Sequence, residues 1–176
     1  MQQEYLGDSY DLVKRFFCQV LDSIAPLHAY PKFVPAAIRD SYTTVTGIPI
    51  LGPNPHRPVG ILLDPDTGIP LPAESLDGAT IQHVSLPFIA MLNTELRPRY
   101  MICFDQSYHR KHELNREQQR EKKREYLRTR GLSAFYYVSH APFLFTAHEL
   151  SVLCSIINRL VSAGIPRSRF EPSELS

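Results

Sequence analysis

Cysteine is scarce in this chain, and no two cysteines lie close together. Cys18, Cys103 and Cys154 are the only three, each among apolar residues. That pattern argues against a disulfide framework and lacks the paired spacing of a zinc site. It fits free, buried thiols in a reducing compartment. Long apolar runs are missing too: none approaches the roughly 18 residues a membrane-spanning helix needs. Met1-Gln2-Gln3-Glu4-Tyr5 has no basic stretch leading into an apolar one, so no secretory signal is read there and a cytoplasmic location is expected. There is also no internal repeat and no low-complexity segment.

What is present describes one globular domain. The 176 residues are 43% hydrophobic and 21% charged, enough for a sizeable core. The net charge of +1 hides an asymmetry. Residues 110–130 carry nine Lys or Arg and four Glu, so this segment is at +5 and the remainder at −4. A basic segment on a mildly acidic body points to an anionic partner more than the total does.

Apolar spacing predicts the elements. Leu12, Val13, Phe16, Phe17, Val20, Leu21 and Ile24 recur at helical intervals, with Asp8 or Ser9 as cap and Pro26 as stop. Asp11, Lys14, Arg15 and Gln19 are assigned to the polar side of this helix. A short strand is expected over 29–33 and a second helix from Pro35 to about Val45, ended by Gly47. The proline-rich stretch 48–58 is a loop. Val59-Gly60-Ile61-Leu62-Leu63 is a continuous apolar run that stops at Asp64, as strands buried on both faces do. A long loop over 65–84 leads to a helix from Ser85 to Leu96. Tyr100-Met101-Ile102-Cys103-Phe104 stops at Asp105, and Ala134-Phe135-Tyr136-Tyr137-Val138 stops at Ser139-His140. Between them lies a charged helix from about Leu114 to Arg128. Phe143-Leu144-Phe145 is expected to pair with the preceding run as a hairpin. Thr146 and Glu149 have capping-box spacing at the head of a last helix running to about Ala163. Strands alternating with helices predict a three-layer α/β/α domain over 1–176. Its sheet is expected to be mostly parallel, with an antiparallel edge hairpin.

In such sheets ligands bind beyond the carboxyl ends of the strands. Asp64 with Asp66, Asp105 with Ser107, and Ser139 with His140 all stand at such ends. Clustered carboxylates suit a hard cation such as Mg²⁺, which bridges to phosphate oxygens. Each end also has a plainer explanation. Asp64-Pro65-Asp66-Thr67-Gly68 is an ordinary turn sequence, Asp105 to Ser107 suits a helix cap, and a histidine beside a strand is often structural. His28, His56, His83, His109, His112 and His148 show no paired ligand pattern. On the charged helix, Glu113, Glu117, Glu121 and Glu125 recur every four residues, with Arg116, Arg120, Arg124 and Arg128 three after each. Such pairs stabilise a helix by roughly 0.2–0.5 kcal/mol each. The alternative is that Arg116, Arg120, Lys123, Arg124 and Arg128 track a phosphate backbone.

Gly7-Asp8-Ser9-Tyr10-Asp11-Leu12-Val13-Lys14, with Leu62-Leu63-Asp64-Pro65-Asp66, resembles the amino-methyltransferases, which act on adenine or cytosine amino groups. The resemblance covers about residues 7–21 and 59–68 and implies that Asp64 binds the target amino group. Asp66-Thr67 stands where that family has a second proline and an aromatic residue, and residues 29–33 hold no glycine where S-adenosylmethionine would be cradled. The Asp64-x-Asp66 pair is similar to the Asp-x-Asp of haloacid-dehalogenase-like phosphatases and of Toprim domains. The first lacks its threonine at the required position, and the second lacks its earlier glutamate.

The expectation is a metal-dependent phosphoester hydrolase, nuclease-like, acting on nucleic acid. Asp64, Asp66 and Asp105 would hold Mg²⁺, and His140 would be general acid or base. Ser107, Arg110, Arg116, Arg120 and Arg124 would bind substrate. The alternatives are a methyltransferase-like domain, active or degenerate, and a non-catalytic module whose charged helix docks a partner.

Overall fold

The computed structural model describes residues 6–55, 58–72, 80, 82–140 and 142–172. Met1 to Tyr5, His56 and the part of the 65–84 loop at 73–79 and 81 lie outside the described residues.

The elements follow in the order α1 (Ser9–Leu21), β1 (Leu27–Ala29), α2 (Arg39–Thr46), β2 (Gly60–Leu63), α3 (Leu86–Leu96) and β3 (Tyr100–Phe104). Then come α4 (Arg116–Arg128), β4 (Ser133–Tyr137), β5 (Phe143–Ala147), α5 (Leu150–Ser162) and β6 (Phe170–Glu171). Short 3₁₀ turns at Pro31–Phe33, Ala36–Ile38 and Arg167–Arg169 join them. The Asp8 side chain caps α1 by accepting from the amides of Tyr10 and Asp11. Asn115 and Gln118 form the capping box of α4.

The six strands form one sheet in the order β1-β2-β3-β5-β4-β6. β1, β2 and β3 are parallel, whereas β3–β5, β5–β4 and β4–β6 are antiparallel. The sheet is therefore mixed, not mostly parallel. The expected β4–β5 hairpin forms, with Tyr136 opposite Leu144, but not at the edge. The crossover through α4 leaves a one-strand gap beside β3, and β5 returns into it, so all five of its residues are buried. The edge on that side is β6, a two-residue strand beyond the last predicted helix.

Alternation along the strands divides the core into two clusters. Leu62, Tyr100, Ile102, Phe104, Phe135, Phe143 and Phe145 pack with α1, α2 and α5. Ile61, Leu63, Met101, Cys103, Tyr136 and Leu144 pack with α3 and α4. Phe135 and Phe145 stack across the hairpin at 4.6 Å.

Two local expectations are corrected. Thr146 and Glu149 do not form a capping box. Thr146 lies inside β5, where its hydroxyl takes a hydrogen bond from Asn93, and Glu149 leads α5 without a side-chain cap. Asp11 and Lys14 are not on a solvated face, being 0% and 4% exposed.

Arg97 ends α3 in the left-handed region at φ 45, without being glycine. That conformation costs an L-residue on the order of 1 kcal/mol. Arg97→Gly should therefore raise stability by up to about 1 kcal/mol, read as a higher midpoint in urea unfolding.

Candidate functional site

The carboxyl ends of β2 and β3 are adjacent, and each carries an aspartate locked onto a buried lysine. At the end of β2, Asp64 Oδ2 accepts from Lys14 Nζ at 2.7 Å and from the Tyr42 hydroxyl at 3.4 Å. The same ammonium donates to Asp11 Oδ1 at 2.9 Å, and Asp11 Oδ2 in turn accepts from the Gly7 amide at 2.7 Å. Burial pulls the Lys14 pKa down, but Asp64 and Asp11 together outweigh it, so the net shift is upward from 10.5.

At the end of β3, Asp105 is saturated. Its Oδ2 accepts from Lys123 Nζ and the Tyr136 hydroxyl, both at 2.8 Å. Its Oδ1 accepts from the Ile69 amide at 2.9 Å and lies 2.6 Å from Ser107 Oγ, which itself accepts from Lys123 at 2.9 Å. Ser107 Oγ also contacts the Ile69 carbonyl oxygen. Asp105 to Ser107 forms a side-chain-stabilised turn and not a helix cap. The loop after β2 docks here because Gly68 has no side chain. A Cβ at Gly68 would sit 2.6 Å from Asp105 Cα, and its φ of +117 suits glycine.

The end of β4 reaches the same edge. His140 stacks on Tyr10 of α1 with ring centroids 5.5 Å apart. Gln106 donates to both the Tyr10 hydroxyl and the His140 carbonyl oxygen. The expected convergence of Asp64, Asp105 and Ser139-His140 at one sheet edge is thus present.

Beside Asp105 and His140 opens a cavity of about 420 Å³ that Tyr108, Arg110, Arg116 and Arg120 also line. Arg110 and Arg116 make no ion pair among the described residues, and Arg116 lies 4.9 Å over the Tyr108 ring. Arg120 is held by Glu171 of β6 in a two-bond fork of 2.7 and 2.9 Å. Arg124 pairs with Glu121, which also lies 4.0 Å from Arg128. The arginine row of α4 is therefore not a continuous free track, because Arg120 and Arg124 are committed within the protein. A larger groove of about 680 Å³ opens at the opposite sheet edge, between Arg97, Arg99, His148 and Glu149. There Arg99 is paired with Glu149.

The set of Asp64, Asp66 and Asp105 does not fit a cation. Among the described residues no three His, Cys, Asp or Glu side chains gather as a metal site. Lys14 and Lys123 already place an ammonium on Asp64 and Asp105, and a divalent ion would have to displace a buried charge at each. Asp66 is half-buried in the turn.

Sequence reasoning foresaw neither lysine as the buried partner of a strand-end aspartate, nor the tyrosines beside them. A signal existed: Lys14 shares a stripe with Phe17 and Leu21, and Lys123 lies between Gln119 and Leu127 on the buried side of α4. A lysine on an apolar stripe implies a buried counter-charge.

No family model, curated protein or solved structure matches this chain.

Removing Lys123 strands a carboxylate that is 1% exposed. Lys123→Met should cost about 3–5 kcal/mol in urea unfolding, and Lys123→Met with Asp105→Asn should cost less than Lys123→Met alone.

Alkaline pH gives a second test. Burial, helped by Asp64 and Asp105 respectively, lifts the Tyr42 and Tyr136 hydroxyls well above 10.0, and Lys14 is raised above 10.5. All three keep their protons in the folded chain at a pH where the unfolded chain loses them. Their contribution is whole below about pH 10 and is lost as pH rises through the folded values. Stability should fall above about pH 10 by up to about 1.4 kcal/mol per unit for each group. Tyrosinate absorbance from the buried hydroxyls should appear with unfolding and not before it.

Proposed function

We propose that this protein binds nucleic acid through the cleft at the carboxyl edge of its sheet, with Arg110 and Arg116 taking backbone phosphates. One observation carries the proposal. Asp105, the carboxylate that lines the cavity, is neutralised from inside by Lys123, so the charge left facing the cavity is that of Arg110 and Arg116, which make no ion pair among the described residues. Arginine forks match phosphate geometry, and a cleft of one sign draws an anionic ligand. The basic segment supplying them lies on a chain otherwise at −4, which keeps the attraction local.

Phosphoester hydrolysis with Mg²⁺ is the weaker reading. It asks the saturated Asp105 to exchange Lys123 for a cation, and the donor set does not favour that. A methyltransferase-like domain is the second reading, and a specific contact favours it. The two segments that carry the resemblance meet in space through Lys14 and Asp64. Asp64 Oδ1 accepts no hydrogen bond from the described residues, so one acceptor stays available to a base amino group.

The test is binding of a labelled oligonucleotide by anisotropy over a salt series. Affinity should fall as salt rises, and Arg110→Ala with Arg116→Ala should shrink the salt slope by about 0.7 per lost phosphate contact, or about 1.4 together. The melting temperature should stay within about 1 °C, since neither arginine makes an ion pair among the described residues. An unchanged slope in the double variant would remove the arginines from the site. A melting-temperature rise with Mn²⁺ would restore the hydrolase reading, and one with S-adenosylmethionine would favour the methyltransferase reading.

A further inference from the structure

Phosphate contacts leave the aromatic groups of the cleft without a role. Tyr10 and His140 stack face to face at 25° between ring planes, and Gln106 bridges them from the turn after β3. Tyr10 is fixed from behind by Phe104, 5.3 Å between centroids, so the platform rests on the core. The outer ring, His140, is exposed beside the cavity, as is Gln106. Across the cavity Tyr108 carries the Arg116 guanidinium on its face. Cation and ring faces thus line one recess of about 420 Å³.

A duplex presents phosphates and groove edges, and its base faces are covered by their neighbours. Single strands expose those faces, and aromatic rings beside a cationic groove are the usual way to hold them. We propose that the cleft takes single-stranded nucleic acid, with one base stacked on His140 and the flanking phosphates at Arg110 and Arg116. Tyr10 is a positioning residue that holds the His140 ring by stacking, and Gln106 ties the Tyr10 hydroxyl to the His140 backbone. This inference rests on the nucleic-acid reading above and narrows it to strands whose bases are unpaired.

The experiment compares a labelled single strand with the duplex of the same sequence and length, by anisotropy at fixed low salt. The wild-type protein should bind the single strand at least about tenfold more tightly. His140→Ala should weaken single-strand binding by roughly 5- to 150-fold, the worth of one base–aromatic stack, and so reduce the single-strand-to-duplex ratio. His140→Phe keeps a ring and should restore that ratio, which a merely structural role for the imidazole would not predict. Equal affinity for both forms, or a ratio that His140→Ala leaves unchanged, overturns the inference while leaving the nucleic-acid reading in place. Binding of neither form overturns both.

Discussion

Two buried lysine–aspartate pairs, one at the end of β2 and one at the end of β3, set the terms for the rest of the molecule. Taking an ammonium and a carboxylate out of water costs several kcal/mol per ion, and the pair offsets this only when every remaining donor and acceptor is met. Asp105 comes close to that condition, with Lys123, Tyr136, the Ile69 amide and Ser107 all upon it. The pairs also act as ties. Lys14 comes from α1 and Lys123 from α4, helices that belong to different core clusters, so each cluster is fastened to the sheet at the same edge. The loop after β2 must then lie against Asp105, and that contact explains a glycine at position 68.

The same constraint decides what the edge offers a ligand. Carboxylates at strand ends read as metal ligands when counted from the sequence, because a sequence shows charges and not their partners. Once the lysines are placed, the charge of Asp105 is met by Lys123, while Lys14 is shared between Asp64 and Asp11. In the cavity beside Asp105, two arginines and aromatic rings are left to meet whatever enters.

Much of the architecture was legible because it is periodic. The boundaries of β3 match the apolar run to the residue, and α1, α3 and α5 form where helices were expected, although Leu12 and Leu150 of the predicted apolar stripes are exposed. Asp64, Asp105 and His140 were placed on one edge by the rule that ligand sites lie beyond strand carboxyl ends. Strand order was not legible. Phe143 to Ala147 is equally apolar at an edge or between two strands, and only the crossover through α4 decides which. Phe170 and Glu171 form too short a strand for any period to register. Thr146 and Glu149 had the spacing of a cap, but Asn93, 53 residues earlier, holds the threonine in the sheet. Lys14 was misplaced for a related reason: a lysine was assigned to water on chemistry, although its position on the helix put it with Phe17 and Leu21.

The charged helix shows how far local spacing reaches. Glu and Arg three apart predict a ladder of four rungs from Glu113 to Arg128, and within that ladder Glu121 with Arg124 is the rung that closes with a hydrogen bond among the described residues. Glu171 takes Arg120 with a planar fork, a stronger bond than a solvated pair on a helix surface. A helix that looks from sequence like a long phosphate track therefore gives the cleft only what β6 and its own glutamates leave over. A site with so few free cations cannot hold a polyanion by charge alone at physiological salt, since each neutralised phosphate adds only a modest counterion term. If nucleic acid is the ligand, the remaining affinity has to come from contacts that salt does not screen. The Tyr10–His140 stack and Tyr108 are the surfaces in the cleft able to make them.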